Sequence, residues 1–269
     1  MNLDEILKSV CNLTKEVGRY IKAEQKKIAN LEIEIKSHNS LVTDVDKTSE
    51  KKIVNHLSSL IPDAGYITEE GTSMTQGEIY NWIIDPLDGT TNFIHGIPCY
   101  AISIALTEKN QTILGVVYEI NLEECFYAIK NKPAFLNGNE ISVTKTTKLA
   151  NALLATGFPY YDFGKQEEYL ELLGHFTKNT RGLRRLGSAA TDLAYVACGR
   201  FDAFYEYGLS PWDVAAGAFI VEQAGGKVTT FSNSNDFIFG KEIVASNNLL
   251  HDEMIYSVSK YFKKTNKLK

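Results

Sequence analysis

Trp82-Ile83-Ile84-Asp85-Pro86-Leu87-Asp88-Gly89-Thr90-Thr91 sets an apolar run directly ahead of two carboxylates, a glycine and two hydroxyls. The apolar triplet reads as the end of a buried strand. Pro86 has no backbone N–H and fixes its own φ, so the chain is expected to turn at the strand end, with Asp85 and Asp88 facing one small volume. Gly89 permits close backbone approach to a ligand. Thr90 and Thr91 offer N–H and O–H donors at the start of a short helical turn, a setting suited to an oxyanion. An ordinary type I turn, in which the first Asp bonds its own backbone, accounts for the same residues equally well. The other acids of the chain decide between the two readings.

Outward from this stretch, the pattern divides the chain into halves, residues 1–145 and 146–269. Leu3, Ile6, Leu7, Val10, Leu13, Val17, Tyr20 and Ile21 recur at helical spacing, which predicts a long amphipathic opening helix. Ile33 and Ile35 alternate with charged residues as in a short strand. Ile53, Val54, Leu57, Leu60 and Ile61 form a second helical stripe ended by Pro62. Strands are expected over 81–85, 100–106, 112–120 and 124–129, and the short links among the last three imply an antiparallel sheet packed on the two helices. After Lys145 strands and helices alternate: a strand over 152–157, helices over 166–177 and 188–198, and a strand over 201–207. Ser210-Pro211-Trp212-Asp213 opens another helix, Gly225-Gly226 closes it, and a strand around 243–245 precedes a last helix. With no internal repeat or Pro/Ser-rich linker, the halves are expected to pack together and share a cleft.

The 269 residues, 44% apolar and 23% charged, form a globular composition, not a disordered or fibrous one. No apolar run approaches the roughly 18 to 20 residues of a membrane span, and the first residues lack a signal-peptide pattern, so the expected location is the cytoplasm. Cys11, Cys99, Cys125 and Cys198 contain no C-x-x-C pair and read as reduced thiols. The net charge of −5 gives no strong nucleic-acid signal, and the basic tail with Lys263, Lys264, Lys267 and Lys269 reads as a solvated terminus.

Three further acidic positions stand at element boundaries: Asp46, Glu69 with Glu70, and Asp213. Each has a plain structural explanation. Asp46 ahead of a helix is an N-terminal charge, the glutamates are surface ion-pair partners, and Asp213 sits at capping-box spacing from Ser210.

Taken together, these blocks resemble the inositol monophosphatase family of magnesium-dependent, lithium-sensitive sugar phosphatases. The resemblance rests on Leu41-Val42-Thr43 with Asp46, on Glu69-Glu70, on Trp82 to Thr91, on Gly187-Ser188-Ala189 and on Trp212-Asp213-Val214-Ala215-Ala216-Gly217, and so spans nearly the whole chain. It implies an α/β (α+β) fold, a five-layer αβαβα sandwich with an antiparallel N-terminal sheet and a mixed C-terminal sheet. It also implies that Glu69, Asp85, the carbonyl of Leu87, Asp88 and Asp213 hold two or three Mg²⁺ ions, with Mn²⁺ as substitute. Asp46 and Thr90, beside Glu69, would activate the attacking water. Asp88, Gly89, Thr90 and Thr91 would cradle the phosphate, while Ala189, Glu206 and Asp213 would meet substrate hydroxyls. A homodimer is implied by the resemblance alone. Leu87 replaces the family's common isoleucine, to which a carbonyl ligand is indifferent. Thr68 replaces a common glycine, which bears only on the local turn.

Elementary electrostatics agrees. Four carboxylates in one cleft repel by roughly 4 kcal/mol per pair at 4 Å with an effective dielectric near 20, so such a cluster requires cations or protons. All the ligand atoms are oxygens, which suits Mg²⁺ or Mn²⁺ better than zinc or copper. The chemistry implied is a metal-assisted in-line displacement by water. Glu70 would act through water or support its neighbour, and Lys36 reads as a solvated lysine.

No G-x-S-x-G, H-E-x-x-H, Walker A or G-x-G-x-x-G pattern is present, and the five histidines form no ligand spacing. The expected activity is hydrolysis of inositol monophosphate or a similar small polyol or sugar phosphate. Fructose-1,6-bisphosphatase, histidinol-phosphatase and nucleotide 3'-phosphatase activities on the same architecture are the alternatives. Arg184 and Arg185 read either as a grip for a second phosphate or as a surface pair, and the short connection from Gly71 to Tyr80 favours a small monophosphate. From other classes, a regulatory protein- or RNA-binding module retaining the fold is a further reading, and a two-acid glycosidase ranks last.

Overall fold

The computed structural model describes residues 1–27, 33–37, 40–159 and 164–262, with backbone alone over 33–37 and 40–42. Helix α1 (Leu3–Gln25) starts where Asn2 Oδ1 accepts the N–H groups of Asp4 and Glu5, and it buries Ile6, Val10, Leu13, Val17 and Ile21 along one face. Strands β1 (Ile33–Ser37) and β2 (Ser40–Thr43) form an antiparallel pair and lead into α2 (Asp44–Leu60). The basic tail over 263–269 lies outside the described residues.

The first large sheet collects β3 (Gly65–Thr68), β4 (Tyr80–Asp88), β5 (Ala101–Glu108), β6 (Gln111–Glu119), β7 (Glu124–Ile129), β8 (Ala134–Leu136) and β9 (Asn139–Ile141) in chain order, with α3 (Thr90–His95) between β4 and β5. Every neighbouring pair is antiparallel except the first: β3 and β4 run parallel. The expectation of an antiparallel sheet thus needs one correction. Its basis was short links, and the longer segment 69–79 lets the chain return to the starting edge before β4 begins.

The second sheet has the order β11-β10-β12-β14-β13, built from β10 (Leu153–Thr156), β11 (Gly182–Arg184), β12 (Ala203–Tyr207), β13 (Lys227–Thr229) and β14 (Glu242–Ser246). It is mixed, with β10 parallel to both neighbours and β14 antiparallel to both of its own. Four helices accompany it: α4 (Gln166–Asn179), α5 (Ala189–Ala197), α6 (Pro211–Gln223) and α7 (His251–Tyr261).

Side-chain alternation stacks these elements into five layers. Trp82, Ile84, Ile102 and Ile104 point to the α1–α2 side of the first sheet, whereas Ile83, Ala101, Ala105 and Val117 point to α5 and α6. The second sheet sends Phe204, Ile243 and Ala245 toward the same two helices, and Leu154, Tyr205 and Val244 toward α4 and α7. Helices α5 and α6 therefore lie between two sheets, which is why α6 buries every residue from Val214 to Val221 instead of showing one apolar stripe. Small residues allow the close approach: a Cβ at Gly115 would stand 2.8 Å from the carbonyl oxygen of Ala216.

One buried titratable group lies away from any cavity. His251, the first residue of α7, has its ring nitrogens against Thr229 Oγ1 and Ser246 Oγ, both at 2.9 Å. Burial, with help from the Lys227 charge, lowers its pKa from 6.5 to about 4. Neutral imidazole is the native form. Its contribution is therefore complete above pH 6.5 and is lost as the pH falls toward 4, by on the order of 2 kcal/mol after discounting for screening. Urea unfolding from pH 7 to 4 should show that loss, and His251→Gln should flatten it; an unchanged profile in the variant would assign the acid sensitivity elsewhere.

Candidate active site

Asp85 and Asp88 are three residues apart, a spacing that sends side chains to opposite faces of a regular strand. The expected turn at Pro86 does not occur. β4 runs on to Asp88, and its register against β5 slips between the pairs Asp85–Ser103 and Asp88–Ala101, three steps on one strand against two on the other. Pro86, unable to donate to the ladder, sits in this bulge, and the extra residue returns Asp88 to the side of Asp85. Asp85 Oδ1 accepts the N–H of Leu87 at 2.9 Å, so the turn-like bond and the gathered acids coexist.

Gly89 follows with φ +93, caps α3, and has no room for a side chain: a Cβ would lie 3.0 Å from the Cys99 carbonyl and 3.2 Å from that of Gly187. Asn92 ties α3 to the other half of the molecule through Nδ2 bonds to the Cys99 and Leu186 carbonyls, at 2.7 and 2.8 Å. Asp88 adds to this link. Its Oδ2 accepts Ser188 Oγ at 2.6 Å and Ala190 N–H at 2.8 Å, both at the start of α5.

Asp213 enters from α6. The Ser210 N–H donates to its Oδ2 at 2.7 Å, and Ser103 Oγ on β5 donates to the Trp212 carbonyl at 3.0 Å, so the helix start is pinned to the first sheet. Oxygens of Asp85, Asp88 and Asp213 all lie within 4.8 Å of one another. Asp88 and Asp213 serve helix starts and also meet in the cavity, and each carboxylate has two oxygens for the two tasks. Asp85 Oδ2 and Asp88 Oδ1 have no protein donor among the described residues.

Glu69 lines the cavity just outside this trio, and its charge is the largest charged contribution raising Asp85. It is positioned from behind: its N–H donates to Ile84 O at 3.2 Å, and buried Glu50 of α2 accepts the N–H groups of Glu70 and Thr72 at 2.7 and 2.8 Å. Glu70 does not line the cavity. Asp46 was expected ahead of its helix; it lies inside the first turn of α2, because Thr43 is the cap. Its Oδ2 accepts Thr43 N–H and Oγ1 at 2.8 and 2.5 Å. Its Oδ1 accepts Thr90 Oγ1 at 2.9 Å, and Thr90 Oγ1 also stands 3.0 Å from the Leu87 carbonyl. Thr90 has one hydrogen for two acceptors, and it separates Asp46 from the cavity.

The cavity, about 240 Å³, is lined by this acidic cluster together with Leu87, Gly89, Thr90, Thr91 and Ala189. Gly157, Phe158, Arg185, Asp192 and Glu206 line it as well. Glu206 comes from β12 and abuts Gly157 so closely that any Cβ there would overlap its carboxylate. The Arg185 guanidinium lies 5.4 Å from the centre of the Phe158 ring.

Burial pushes these carboxyls up. Asp85 is raised by desolvation and then by the charges of Glu69, Asp88 and Asp213. Asp88 is raised to about 6 by burial, against the opposing pull of the Ser188 and Ala190 bonds and of Arg185. Glu206 and Asp192 are raised mainly by desolvation, with further contributions from Asp213 and from Glu206 respectively. Asp46 is raised by burial, although its bonds to Thr43 and Thr90 oppose the shift. Concentrated repulsion of this kind calls for positive charge.

Several wall residues carry no sequence signal. Asp192, inside the apolar segment Ala189–Ala197, has a buried Oδ1 without a hydrogen-bond partner among the described residues. Its one clue is helical: it falls one turn after Ala189, on the same face. Glu50 and Gly157 are recognised by their contacts alone. Of the arginine pair, Arg185 lines the cavity and Arg184 does not. The side chain of Lys36 lies outside the described residues.

A layered αβαβα sandwich with a carboxylate cluster beside a Gly-Thr-Thr helix start defines a phosphatase class. The chain belongs to the inositol monophosphatase family, whose model matches residues 2–262. It is 39% identical to the Nus factor SuhB of Pseudomonas aeruginosa, over 91% of this chain and 92% of that protein. It is also 39% identical to the fructose-1,6-bisphosphatase/inositol-1-monophosphatase of Thermotoga maritima, over 92% and 93% of the two chains. The crystal structure of the extragenic suppressor protein suhB from Bartonella henselae superposes with a TM-score of 0.91 at 35% identity, covering 95% of this chain and 99% of that one.

Proposed function

We propose that this protein is a divalent-metal-dependent phosphomonoesterase that hydrolyses inositol monophosphate or a similarly small polyol or sugar phosphate. One observation carries the reading: Asp85, Asp88 and Asp213 converge to within 4.8 Å beside the Gly89–Thr91 turn, in a cavity of about 240 Å³. The donor set fits a hard cation. Among the described residues it consists of carboxylates and the Leu87 carbonyl, with no sulfur or imidazole, and two of its oxygens lack protein donors there. Glu69, Asp85, Leu87 O, Asp88 and Asp213 would hold the metal. Bound Mg²⁺ or Mn²⁺ would supply positive charge for the phosphate dianion and acidify a water.

The chain's own groups account for the rest. While Thr90 Oγ1 donates to Asp46, it can accept from a water in the cavity that Thr90 lines, so a proton can pass from water to Thr90 and from Thr90 to Asp46. Burial raises the Asp46 pKa and makes it the better proton acceptor. The first N–H groups of α3 have no intrahelical acceptors and are suited to phosphate oxygens. Ala189 leaves space where the alcohol portion would rest, and Glu206 faces it from β12 as an acceptor for hydroxyls. Lithium inhibition and a homodimer belong to the same reading, supported by family membership.

A second substrate reading has its own support: Arg185 lines the same cavity, where its guanidinium could pair with the second phosphate of fructose 1,6-bisphosphate. Turnover of a panel at fixed Mg²⁺ separates the two. The panel comprises inositol monophosphate, fructose 1,6-bisphosphate, histidinol phosphate and a nucleotide 3'-phosphate. Preference for the inositol ester is expected, and failure to release phosphate from any of them would defeat the phosphatase proposal. Glu206→Ala should shift the preference among polyol esters about tenfold or more in kcat/KM while leaving metal affinity within about twofold. Equal losses on every substrate would remove Glu206 from substrate recognition.

A further inference from the structure

Of the aromatic side chains that line the catalytic cavity, Trp212 packs against the core around α5 and α6, whereas Phe158 leaves 42% of its surface uncovered. A large apolar ring kept open beside carboxylates gains little from the fold's own packing. The ring is nonetheless held in place. It meets the Tyr169 ring edge to face, with planes at 87° and centroids 5.7 Å apart. Tyr169, buried on α4, donates its hydroxyl to the Gly157 carbonyl at 2.7 Å, and the same oxygen lies 2.6 Å from Thr156 Oγ1. The backbone directly ahead of Phe158 is therefore fixed from α4, and the Arg185 guanidinium is a further contact of the ring.

Gly157 also ties the ring to Glu206. A Cβ on Gly157 would overlap the Glu206 carboxylate, so that carboxylate abuts the residue before Phe158. An acceptor for hydroxyls and an open aromatic surface thus adjoin at one cavity. A cyclic polyol presents two kinds of surface that match them. Its hydroxyls need acceptors, and its C–H bonds form a fixed apolar patch with slight positive charge, suited to the negative face of an aromatic ring. An open chain of the same atoms has no fixed patch and must lose rotational freedom to present one.

We propose that Phe158 is a specificity-determining residue that stacks on the C–H face of a ring-shaped polyol or sugar ester while Glu206 accepts its hydroxyls. This rests on the phosphomonoesterase reading above and selects, within it, cyclic over open-chain substrates. Steady-state kinetics at saturating Mg²⁺ tests it with inositol 1-phosphate and glucitol 6-phosphate, an open-chain ester matched in carbon and hydroxyl count. The wild type should prefer the cyclic ester. Phe158→Leu, which keeps apolar bulk and removes the π face, should lower the ratio of the two kcat/KM values about fivefold, through KM of the cyclic ester. Phe158→Tyr should restore the ratio. Equal losses on both esters in Phe158→Leu would overturn the proposal, since the ring would then serve only to hold Gly157 or Arg185; so would a leucine variant with the wild-type ratio. A wild type that releases phosphate from neither ester would remove this inference together with the inositol-phosphate reading, whereas normal turnover with an unmoved ratio removes this one alone.

Discussion

Asp88→Asn is expected to lower kcat on the preferred phosphate ester by at least ~10³-fold while the protein stays folded. The reason lies in the two faces of this side chain. Oδ2 is committed to Ser188 Oγ and Ala190 N–H, bonds that an amide oxygen can still accept, so the junction between the first sheet and α5 survives. The charge does not survive, and Asp88 is one of three carboxylates gathered within 4.8 Å. Asparagine also relieves the repulsion that Asp88 imposes on Asp85. The metal-free variant should therefore unfold at the same temperature as the parent or slightly above it. Steady-state kinetics with parallel calorimetry checks both statements, and a variant of near-normal rate would show that Asp88 is no metal ligand.

Removing divalent metal is expected to abolish turnover, and restoring Mg²⁺ should return it together with thermal stability. In the metal-free protein Asp88 carries a pKa of about 6 against an ordinary 3.8. A carboxyl raised in this way favours its protonated form in the folded state, so the metal-free protein loses stability as the pH rises from about 4 through 6. A bound cation offsets that loss where the carboxylates are ionised. At pH 7.5, Mg²⁺ at about a hundred times its dissociation constant should add roughly 2.7 kcal/mol, a rise in Tm of about 5 to 10 °C. At pH 5 the gain should be smaller, because protons compete for the same oxygens. Calorimetry of EDTA-stripped protein at both pH values tests this. Full turnover in EDTA would end the metal proposal, and a pH-independent gain would separate the metal from the acidic trio.

How much of this was legible beforehand varies by element. Helices α1 and α2 announce themselves by apolar spacing, because each has one buried face and one wetter face, and β5 to β7 by β-rich runs joined by short polar links. The parallel pairing of β3 with β4 does not announce itself, since pairing direction follows from where a connection travels. The β8–β9 hairpin and strands β11 and β13, each three residues long, are too short to show a period. Within the site, Asp46, Asp85, Asp88, Thr90 and Asp213 stand in recognisable blocks. Glu50, Gly157 and Asp192 do not, because their roles come from what lies opposite them. Asp46 shows the limit of reading in both directions: the cap and the link to Thr90 are both real, one on each carboxylate oxygen.

By itself the sequence determined a layered α/β chain with oxygen ligands clustered at element boundaries, because burial periodicity and turn chemistry are local and act within a few residues. Tertiary structure alone decided that a bulge at Pro86, not a turn, brings Asp85 and Asp88 together, that Asp213 reaches them from α6, and that Arg185, Asp192 and Glu206 line the same cavity. Those placements depend on α5 and α6 being packed between two sheets. Asp213 stands more than a hundred positions from Asp85 and Asp88, and no local pattern encodes a contact across that span.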